Sequence, residues 1–165
     1  MRTVESSISI GLTRASGEDL DDVMQVMAAA FEPSFGEAWT RAQCAGILPM
    51  SGVELTLAKH EGKAVGFALT RQVAAEAELL LLAVHPDGRG RGVGSALLTQ
   101  FIRQGREAGL HRLHLEVRES NPAVSLYSRH LFIVEGRRPK YYRGADGQFH
   151  DALTMARSIV SNTAG

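Results

Sequence analysis

The chain contains a single cysteine, Cys44, carries no net charge and has no apolar run long enough to cross a bilayer. One cysteine cannot form an internal disulfide, which is typical of a reducing compartment. Because the 18 basic residues balance the 18 acidic ones, no overall field attracts nucleic acid or a membrane surface. The N-terminus also lacks the apolar core of a signal peptide. By elimination we expect a cytoplasmic protein that binds neither membranes nor nucleic acid.

The composition predicts one globular domain over residues 1–165. Hydrophobic residues make up 44% of the chain and charged residues 22%, which provides enough apolar surface for a substantial core. The segments 1–6 and 159–165 are predicted to be loose around a core at 8–157. Cys44 lies among small apolar residues, so we predict a buried hydrophobe rather than a nucleophile. A monomer and a homodimer are both compatible with this composition.

Hydrophobic periodicity predicts short strands that alternate with helices. The predicted strands cover 8–14, 53–59, 63–73, 76–84, 111–117, 132–137 and 149–157. The predicted helices follow Ser16, include 39–48, follow a glycine-rich segment and cover 122–130. Because hairpins precede a single strand–loop–helix–strand unit, we predict a mixed α+β fold rather than a doubly wound sheet. The run 76–84 is apolar over most of its length, which predicts a strand buried on both faces.

The glycine-rich segment 85–94 reads His-Pro-Asp-Gly-Arg-Gly-Arg-Gly-Val-Gly and lies between the strand at 76–84 and an amphipathic helix. Glycines allow successive N–H groups to converge on one anion, and the helix adds its positive dipole end. Arg89 and Arg91 add full charges. The segment lacks the Gly-Lys-Ser/Thr of nucleoside-triphosphate loops, and Ser95 replaces the last glycine of the dinucleotide fingerprint. These features predict a cradle for a pyrophosphate.

The pattern Arg89-x-x-Gly92-x-Gly94 resembles the acetyl-coenzyme A loop of the GNAT superfamily of N-acetyltransferases. The segments 115–121 and 126–132 are similar to the closing motif of that family. The segment 137–155, with its paired tyrosines, resembles the RimI-type ribosomal-protein alanine N-acetyltransferases. The resemblance covers most of 8–157 and is strongest from residue 76 onward. It implies a GNAT-like three-layer fold, with a mostly antiparallel sheet of about six to seven strands flanked by about four helices.

This resemblance implies acetyl-coenzyme A as cosubstrate, with its pantetheine arm along the strand at 76–84 and its pyrophosphate on the glycine-rich segment. The cofactor-binding residues that it implies are Leu82, Ala83, Val84, Arg89, Gly90, Arg91, Gly92, Val93, Gly94, Ser95 and Asn121. No metal is expected. His111 and His114 are an odd number of positions apart on a strand, so they face opposite sides and cannot share a metal ion.

The resemblance also implies two catalytic residues. Glu116 would take the proton from the incoming amine through water, and Tyr127 would give a proton or a hydrogen bond to the departing thiolate. The spacing alone leaves other roles open. Glu116 could be an ordinary carboxylate paired with Arg118 or His114, and Tyr127 could be a core aromatic on a short helix.

The acceptor groove implied by the resemblance is lined by Phe35, Glu37, Tyr141 and Tyr142. An α-amino group has a pKa near 8 and a lysine near 10.4, so deprotonating lysine at neutral pH costs about 3 kcal/mol more. This favours a protein N-terminus as acceptor, as in the ribosomal-protein alanine branch. The alternatives are a small amine (a polyamine, an amino acid or an antibiotic), a non-catalytic module that binds acetyl-coenzyme A and a nicotinamide-binding oxidoreductase domain.

Three positions depart from the family pattern. Asn121 and Tyr127 are one residue closer than usual, and one residue turns a helix by about 100°. Leu131 occupies the usual glycine position before a phenylalanine, where a left-handed backbone is costly. Leu81 stands where the RimI type often carries asparagine. The basic run 137–143 is compatible with a solvated loop or with binding of an acidic segment, a coenzyme phosphate or ribosomal RNA.

Overall fold

A computed structural model describes residues 9–160 of the chain. The strands are β1 (Gly11–Ala15), β2 (Val53–His60), β3 (Lys63–Val73), β4 (Glu76–Val84), β5 (Arg112–Arg118), β6 (Ile133–Arg143) and β7 (Phe149–Ser158). The helices are α1 (Leu20–Ala30), α2 (Arg41–Ile47), α3 (Val93–Glu107) and α4 (Ala123–Arg129). Residues 1–8 and 161–165, where most of the predicted loose segments fall, lie outside the described residues.

All seven strands form one sheet in the order β1-β2-β3-β4-β5-β7-β6, and only β4 and β5 are parallel. Helices α1 and α2 pack on one face of the sheet, while α3 and α4 pack on the other. This three-layer arrangement confirms the predicted mixed fold with a mostly antiparallel sheet. Cys44 is buried in the core beside α1, as predicted.

The helix starts follow from local capping. Ser16 caps a short 3-10 turn, Gly17–Asp19, that leads into α1: its hydroxyl accepts a hydrogen bond from the backbone of Glu18, and its own N–H bonds to the side chain of Asp19. Thr40 and Gln43 form the same reciprocal arrangement at the start of α2. Each pair satisfies backbone N–H groups that a helix end leaves without partners. Because Thr40 is the cap, α2 begins at Arg41, two residues later than predicted.

The predicted burial of 76–84 on both faces is wrong. Buried residues alternate with half-exposed ones along the whole of β4. The half-exposed side includes Leu82 and Val84, which line a cavity beside the strand. The strand is therefore buried on one side and borders a cleft on the other.

That cleft opens because β4 and β5 separate. They pair only from Glu76 opposite Arg112 to Leu79 opposite Leu115. Beyond this point β4 continues on β3 as far as Val84, whereas β5 continues on β7 as far as Arg118. The two halves of the sheet thus diverge at the carboxyl ends of β4 and β5, in front of the glycine-rich segment.

The last two strands carry the basic run. Strand β6 extends to Arg143, beyond the predicted end at 137, and forms one edge of the sheet. Arg137 pairs with Glu119 and Asp151, so part of the run is neutralised by neighbouring carboxylates. Within residues 9–160 no helix is long and apolar enough to span a membrane.

Candidate active site

The glycine-rich segment delivers free backbone N–H groups to the open end of the cleft. Gly90 and Gly92 have positive φ values of 72° and 83°, a conformation that favours glycine. Gly92 caps α3, and the first bond of the helical ladder runs from Ala96 N–H to its carbonyl at 2.9 Å. The amides of residues 93–95 precede that bond and belong to the unpaired end of a 15-residue helix. Their dipoles favour a negatively charged ligand there.

A cavity of about 530 Å³ lies between this helix end, the carboxyl end of β4 and the start of α4. Every predicted cofactor-binding residue lines it except Arg91, which is exposed and is not among its lining residues. Phe35 and Glu37, predicted to face the acceptor, also line this cavity. Sequence reasoning missed Arg118 and Arg129, two further cationic residues of its wall.

Two side-chain contacts hold the cradle in place. The guanidinium of Arg89 donates to the carbonyl of Ala30 at 3.0 Å, which attaches the glycine-rich segment to the end of α1. The hydroxyl of Ser95 lies 3.2 Å from Nε2 of His130, which joins the first turn of α3 to the end of α4. Arg89 therefore acts as an anchor of the loop as well as a cavity-lining charge.

A smaller cavity of about 120 Å³ adjoins the first one. Phe31, Glu37, Leu82 and Asn121 line both cavities, so the two spaces meet at these residues. The smaller cavity also contacts the two predicted catalytic residues and the paired tyrosines: Glu116, Tyr127, Tyr141 and Tyr142. Leu81, which stands where the RimI type often carries asparagine, also lines this cavity.

Glu116 is held by residues that sequence reasoning missed. Its Oε2 accepts a hydrogen bond of 2.8 Å from the hydroxyl of Thr154, and its Oε1 lies 3.0 Å from Nε of Arg138. Its side chain is 12% exposed. The two partners considered for it, Arg118 and His114, pair with other carboxylates. The pairing alternatives from the sequence were therefore wrong. Thr154 lies beside Glu116 because of the register of β5 on β7, which a reading of the sequence does not reveal.

Tyr127 is buried, Tyr142 is half-buried, and both line the smaller cavity. Burial raises the pKa of Tyr127 well above its ordinary value, and the charge of Glu37 raises it further. The pKa of Tyr142 is raised by burial and then by Glu37, and its hydroxyl donates to the carbonyl of Glu116 at 3.3 Å. Tyr141 is half exposed and packs edge-on against Tyr142, with 4.8 Å between ring centroids. The phenols of Tyr127 and Tyr142 therefore remain protonated at neutral pH.

Asn121 makes hydrogen bonds on both sides of its amide group. Its side-chain oxygen accepts from the N–H of Ala123 at 2.8 Å, which caps the first turn of α4. Its amide nitrogen donates to Oε2 of Glu37 at 2.7 Å. One amide hydrogen remains for another acceptor. Asn121 thus lines both cavities while it also ends the loop before the helix.

Leu131 adopts the backbone that glycine usually provides. Its φ is +66°, and its N–H bonds to the carbonyl of Ser128 at 3.0 Å. The N–H of Phe132 bonds to the carbonyl of Tyr127 at 3.0 Å, which completes a Schellman motif at the end of α4. The buried ring of Phe132 then packs against the ring of Tyr127. The costly conformation expected at this position is therefore present, and it supports a predicted catalytic residue.

Among residues 9–160, no group of three or more histidine, cysteine, aspartate or glutamate side chains could hold a metal ion. The donors around the larger cavity are backbone amides, guanidinium groups and one side-chain amide. Such donors suit phosphate and carbonyl oxygens.

Residues 20–131 match the model of the acetyltransferase (GNAT) family. The ribosomal protein bS18-alanine N-acetyltransferase of Escherichia coli (strain K12) is 41% identical over 101 residues, which is 61% of this chain and 68% of that protein. The crystal structure of the ribosomal-protein-S18-alanine N-acetyltransferase from Escherichia coli superposes with a TM-score of 0.84 at 30% identity, over 95% of this chain and 98% of that one. Ard1 from Thermoplasma volcanium gives a TM-score of 0.80 at 26% identity, over 93% and 100% of the two chains.

Proposed function

This chain belongs to the GNAT acetyltransferase family, and we propose that it transfers the acetyl group of acetyl-coenzyme A directly to the N-terminal α-amine of a protein. The Escherichia coli relative is named for the alanine of ribosomal protein bS18, and we propose an N-terminus of that kind, on a ribosomal protein, as the acceptor. The observation that carries the proposal is the pair of adjoining cavities. One is lined by the glycine-rich cradle, and the other by Glu116 and Tyr127.

The residues of the larger cavity fit acetyl-coenzyme A. The amides of residues 93–95 and the open space at Gly90 and Gly92 suit the pyrophosphate, because no side chain blocks approach to the backbone. The backbone of Leu82–Val84 is proposed to hold the pantetheine arm, with Asn121 as a further donor. Bound there, acetyl-coenzyme A supplies an acetyl thioester. An N–H from β4 would polarise its carbonyl oxygen.

Glu116 is proposed to act as the base. Its position in the smaller cavity lets the amine lose a proton through water as nitrogen bonds to the thioester carbon. The carbon–sulfur bond then breaks and the coenzyme leaves as a thiolate. Thr154 occupies one lone pair of Oε2 and Arg138 occupies one lone pair of Oε1. The remaining lone pairs of the carboxylate can accept hydrogen bonds from water.

Tyr127 is proposed to donate a hydrogen bond to the departing sulfur. A thiol with a pKa near 8.5 and a phenol near 10 differ by about 1.5 units, or about 2 kcal/mol against full proton transfer. Burial raises the pKa of Tyr127, so this difference increases. A protonated phenol that stabilises the thiolate therefore fits this site better than one that gives up its proton completely.

Direct transfer also agrees with the state of the single cysteine. Burial raises the pKa of the Cys44 thiol, and the residue packs in the core beside α1 rather than in either cavity. The thiolate is the nucleophilic form of cysteine, so this thiol is poorly suited to carry an acetyl group. We therefore propose a ternary complex and no acetyl-enzyme.

Acetyl-coenzyme A turnover with defined acceptors tests the proposal. Peptides that begin with Ala, Ser or Met and contain one internal lysine are compared with polyamines, amino acids and aminoglycosides, and mass spectrometry locates the acetyl group. We expect acetylation at the α-amine of a peptide. Activity confined to small amines would overturn the protein acceptor, and tight coenzyme binding without turnover on any amine would overturn the enzymatic role. Glu116→Gln and Tyr127→Phe should lower turnover while coenzyme affinity, measured by calorimetry, stays nearly unchanged.

A further inference from the structure

The smaller cavity is acidic. Three carboxylate residues line it, Glu37, Glu78 and Glu116, and no lysine, arginine or histidine is among its described lining residues. Carboxylates around a confined space favour a cationic occupant, because low local polarity strengthens the attraction.

Of these three carboxylates, only Glu78 lacks a cationic partner among the described residues. Glu37 lies 2.9 Å from Arg118, and Glu116 lies 3.0 Å from Arg138. Glu78 forms no ion pair within 4.0 Å and no side-chain hydrogen bond with any of residues 9–160. Its neighbours in register are Arg71 on β3 and His114 on β5.

Neither neighbour forms an ion pair with Glu78. Arg71 buries its Nε without a hydrogen-bond partner, and His114 has its nearest carboxylate in Glu76 at 3.9 Å. Glu78 is half-buried on β4 and lines the cavity between these two strands. Among the described residues, no cation within 4.0 Å competes for this carboxylate with a group that enters the cavity.

Two tyrosines that line this cavity support a ligand site here. Tyr127 is 5% exposed, lines the cavity, and forms no hydrogen bond through its hydroxyl with the described residues. The pKa of Tyr141 is raised by burial and then by the charges of Glu116 and Glu78. Tyr141 lines the same cavity and thus lies within the field of both carboxylates.

We propose that Glu78 is a specificity-determining residue that selects acceptors with a second positive charge near the reacting amine. For a protein acceptor this is a lysine or arginine within the first three residues. Glu78 lies two residues before the level of Glu116 on the adjacent strand, where the two strands begin to separate, so their Cα atoms are at least about 8 Å apart from strand rise and spacing. The amine would react beside Glu116 while the second cation contacts Glu78. The inference rests on the proposed function and names its substrate class.

Paired peptides test this role. Ala-Lys and Ala-Gln peptides of otherwise equal sequence, with a second pair that carries the substitution at position three, are assayed with wild type and Glu78→Gln. The wild type should favour the cationic peptide by about tenfold in kcat/KM, mostly through KM, since a half-buried charged contact is lost with the glutamine peptide. Glu78→Gln should remove this preference and leave kcat for the Ala-Gln peptide nearly unchanged. Glu78→Arg should reverse it in favour of an Ala-Glu peptide.

Glu76→Gln is the matched control, because it removes one charge from the same strand outside the cavity. It should keep the wild-type preference. An equal loss of preference in Glu76→Gln would overturn a local role for Glu78, as would a wild type that acetylates both peptides of each pair equally well. In those outcomes α-amine acetylation is still observed, so the proposed function stands. A small diamine could also provide the second positive charge, so a series of diamines is assayed in parallel. Acetylation of diamines without any acetylation of peptides would contradict the proposed protein acceptor.

Discussion

The guanidinium of Arg118 and the carboxylate of Glu37 form an ion pair of 2.9 Å across 81 positions of sequence. Their side chains are only 6% and 9% exposed. Arg118 ends β5, whereas Glu37 lies in the segment between α1 and α2. The ring of Phe35 packs on the guanidinium, 3.6 Å from its carbon to the ring centroid. This pair fixes the segment over the cleft, where both cavities meet.

Loss of one partner should destabilise the protein strongly. Arg118→Met leaves the Glu37 carboxylate buried without its cation, and such a change costs about 3–5 kcal/mol. Urea denaturation measures it. Arg41→Met is the control, because its ion pair with Asp21 is exposed and should contribute less than about 1 kcal/mol. A double variant, Glu37→Leu with Arg118→Met, should recover part of the loss. Equal small effects for both single variants would contradict the burial argument.

Local features of the fold could be predicted from the sequence. The hairpin of β2 and β3 follows from two alternating runs joined at Glu61 and Gly62, whose φ values of 50° and 77° match a tight hairpin turn. The glycine-rich segment and α3 follow from composition and periodicity over adjacent residues. Such signals depend on residues that are neighbours in the chain, so they can be interpreted without knowledge of the tertiary structure.

Partners of the site residues could not be predicted in this way. Thr154 reaches Glu116 only because β7 pairs with β5 in one register, and Arg138 reaches it only because β6 extends along β7. A shift of one residue would turn both side chains to the other face. The sequence carries no local signal for that register, so the identity of the groups that hold Glu116 required the structure.

Thr154 should orient the proposed base. Thr154→Val keeps the shape of the side chain but removes the 2.8 Å hydrogen bond to Oε2 of Glu116, so the carboxylate can rotate away from the acceptor. We expect kcat to fall about threefold to tenfold, the equivalent of about 1 kcal/mol for one hydrogen bond, with KM for acetyl-coenzyme A unchanged. Thr154→Ser retains the hydroxyl and should retain most of the activity. Equal loss in both variants would indicate packing rather than hydrogen bonding.

Leu131→Gly should stabilise the protein. A left-handed backbone costs a residue with a Cβ about 1–2 kcal/mol, and the glycine variant avoids this cost. Part of the stabilisation is lost again, because glycine makes the unfolded state more flexible. The net gain is expected to be about 0.5–1 kcal/mol. Little packing is lost, since Leu131 is 66% exposed. Leu131→Ala keeps the Cβ and should bring no gain in thermal or urea unfolding. A destabilised glycine variant would contradict strain at this position.

The buried tyrosine should make the protein sensitive to alkali. The folded-state pKa of Tyr127 is raised above the unfolded value near 10, so the folded state holds its proton more tightly. This contribution is fully present below pH 10 and is lost as the pH rises above it, by up to about 1.4 kcal/mol per pH unit. Comparison of urea unfolding at pH 9 and pH 11 should show a smaller loss in Tyr127→Phe than in wild type. Equal losses would contradict the raised pKa.

The two arginines of the glycine-rich segment should differ in their effect on coenzyme binding. Arg89 lines the larger cavity and attaches the segment to the carbonyl of Ala30 at 3.0 Å, whereas Arg91 does not line it. Arg89→Ala should therefore weaken acetyl-coenzyme A binding by about tenfold in calorimetry, the equivalent of about 1.4 kcal/mol for a charged hydrogen bond. Arg91→Ala removes the same charge nearby, so it should cost much less at physiological salt because exposed charges are screened. If both variants lose affinity equally, general charge rather than anchoring of the loop governs binding.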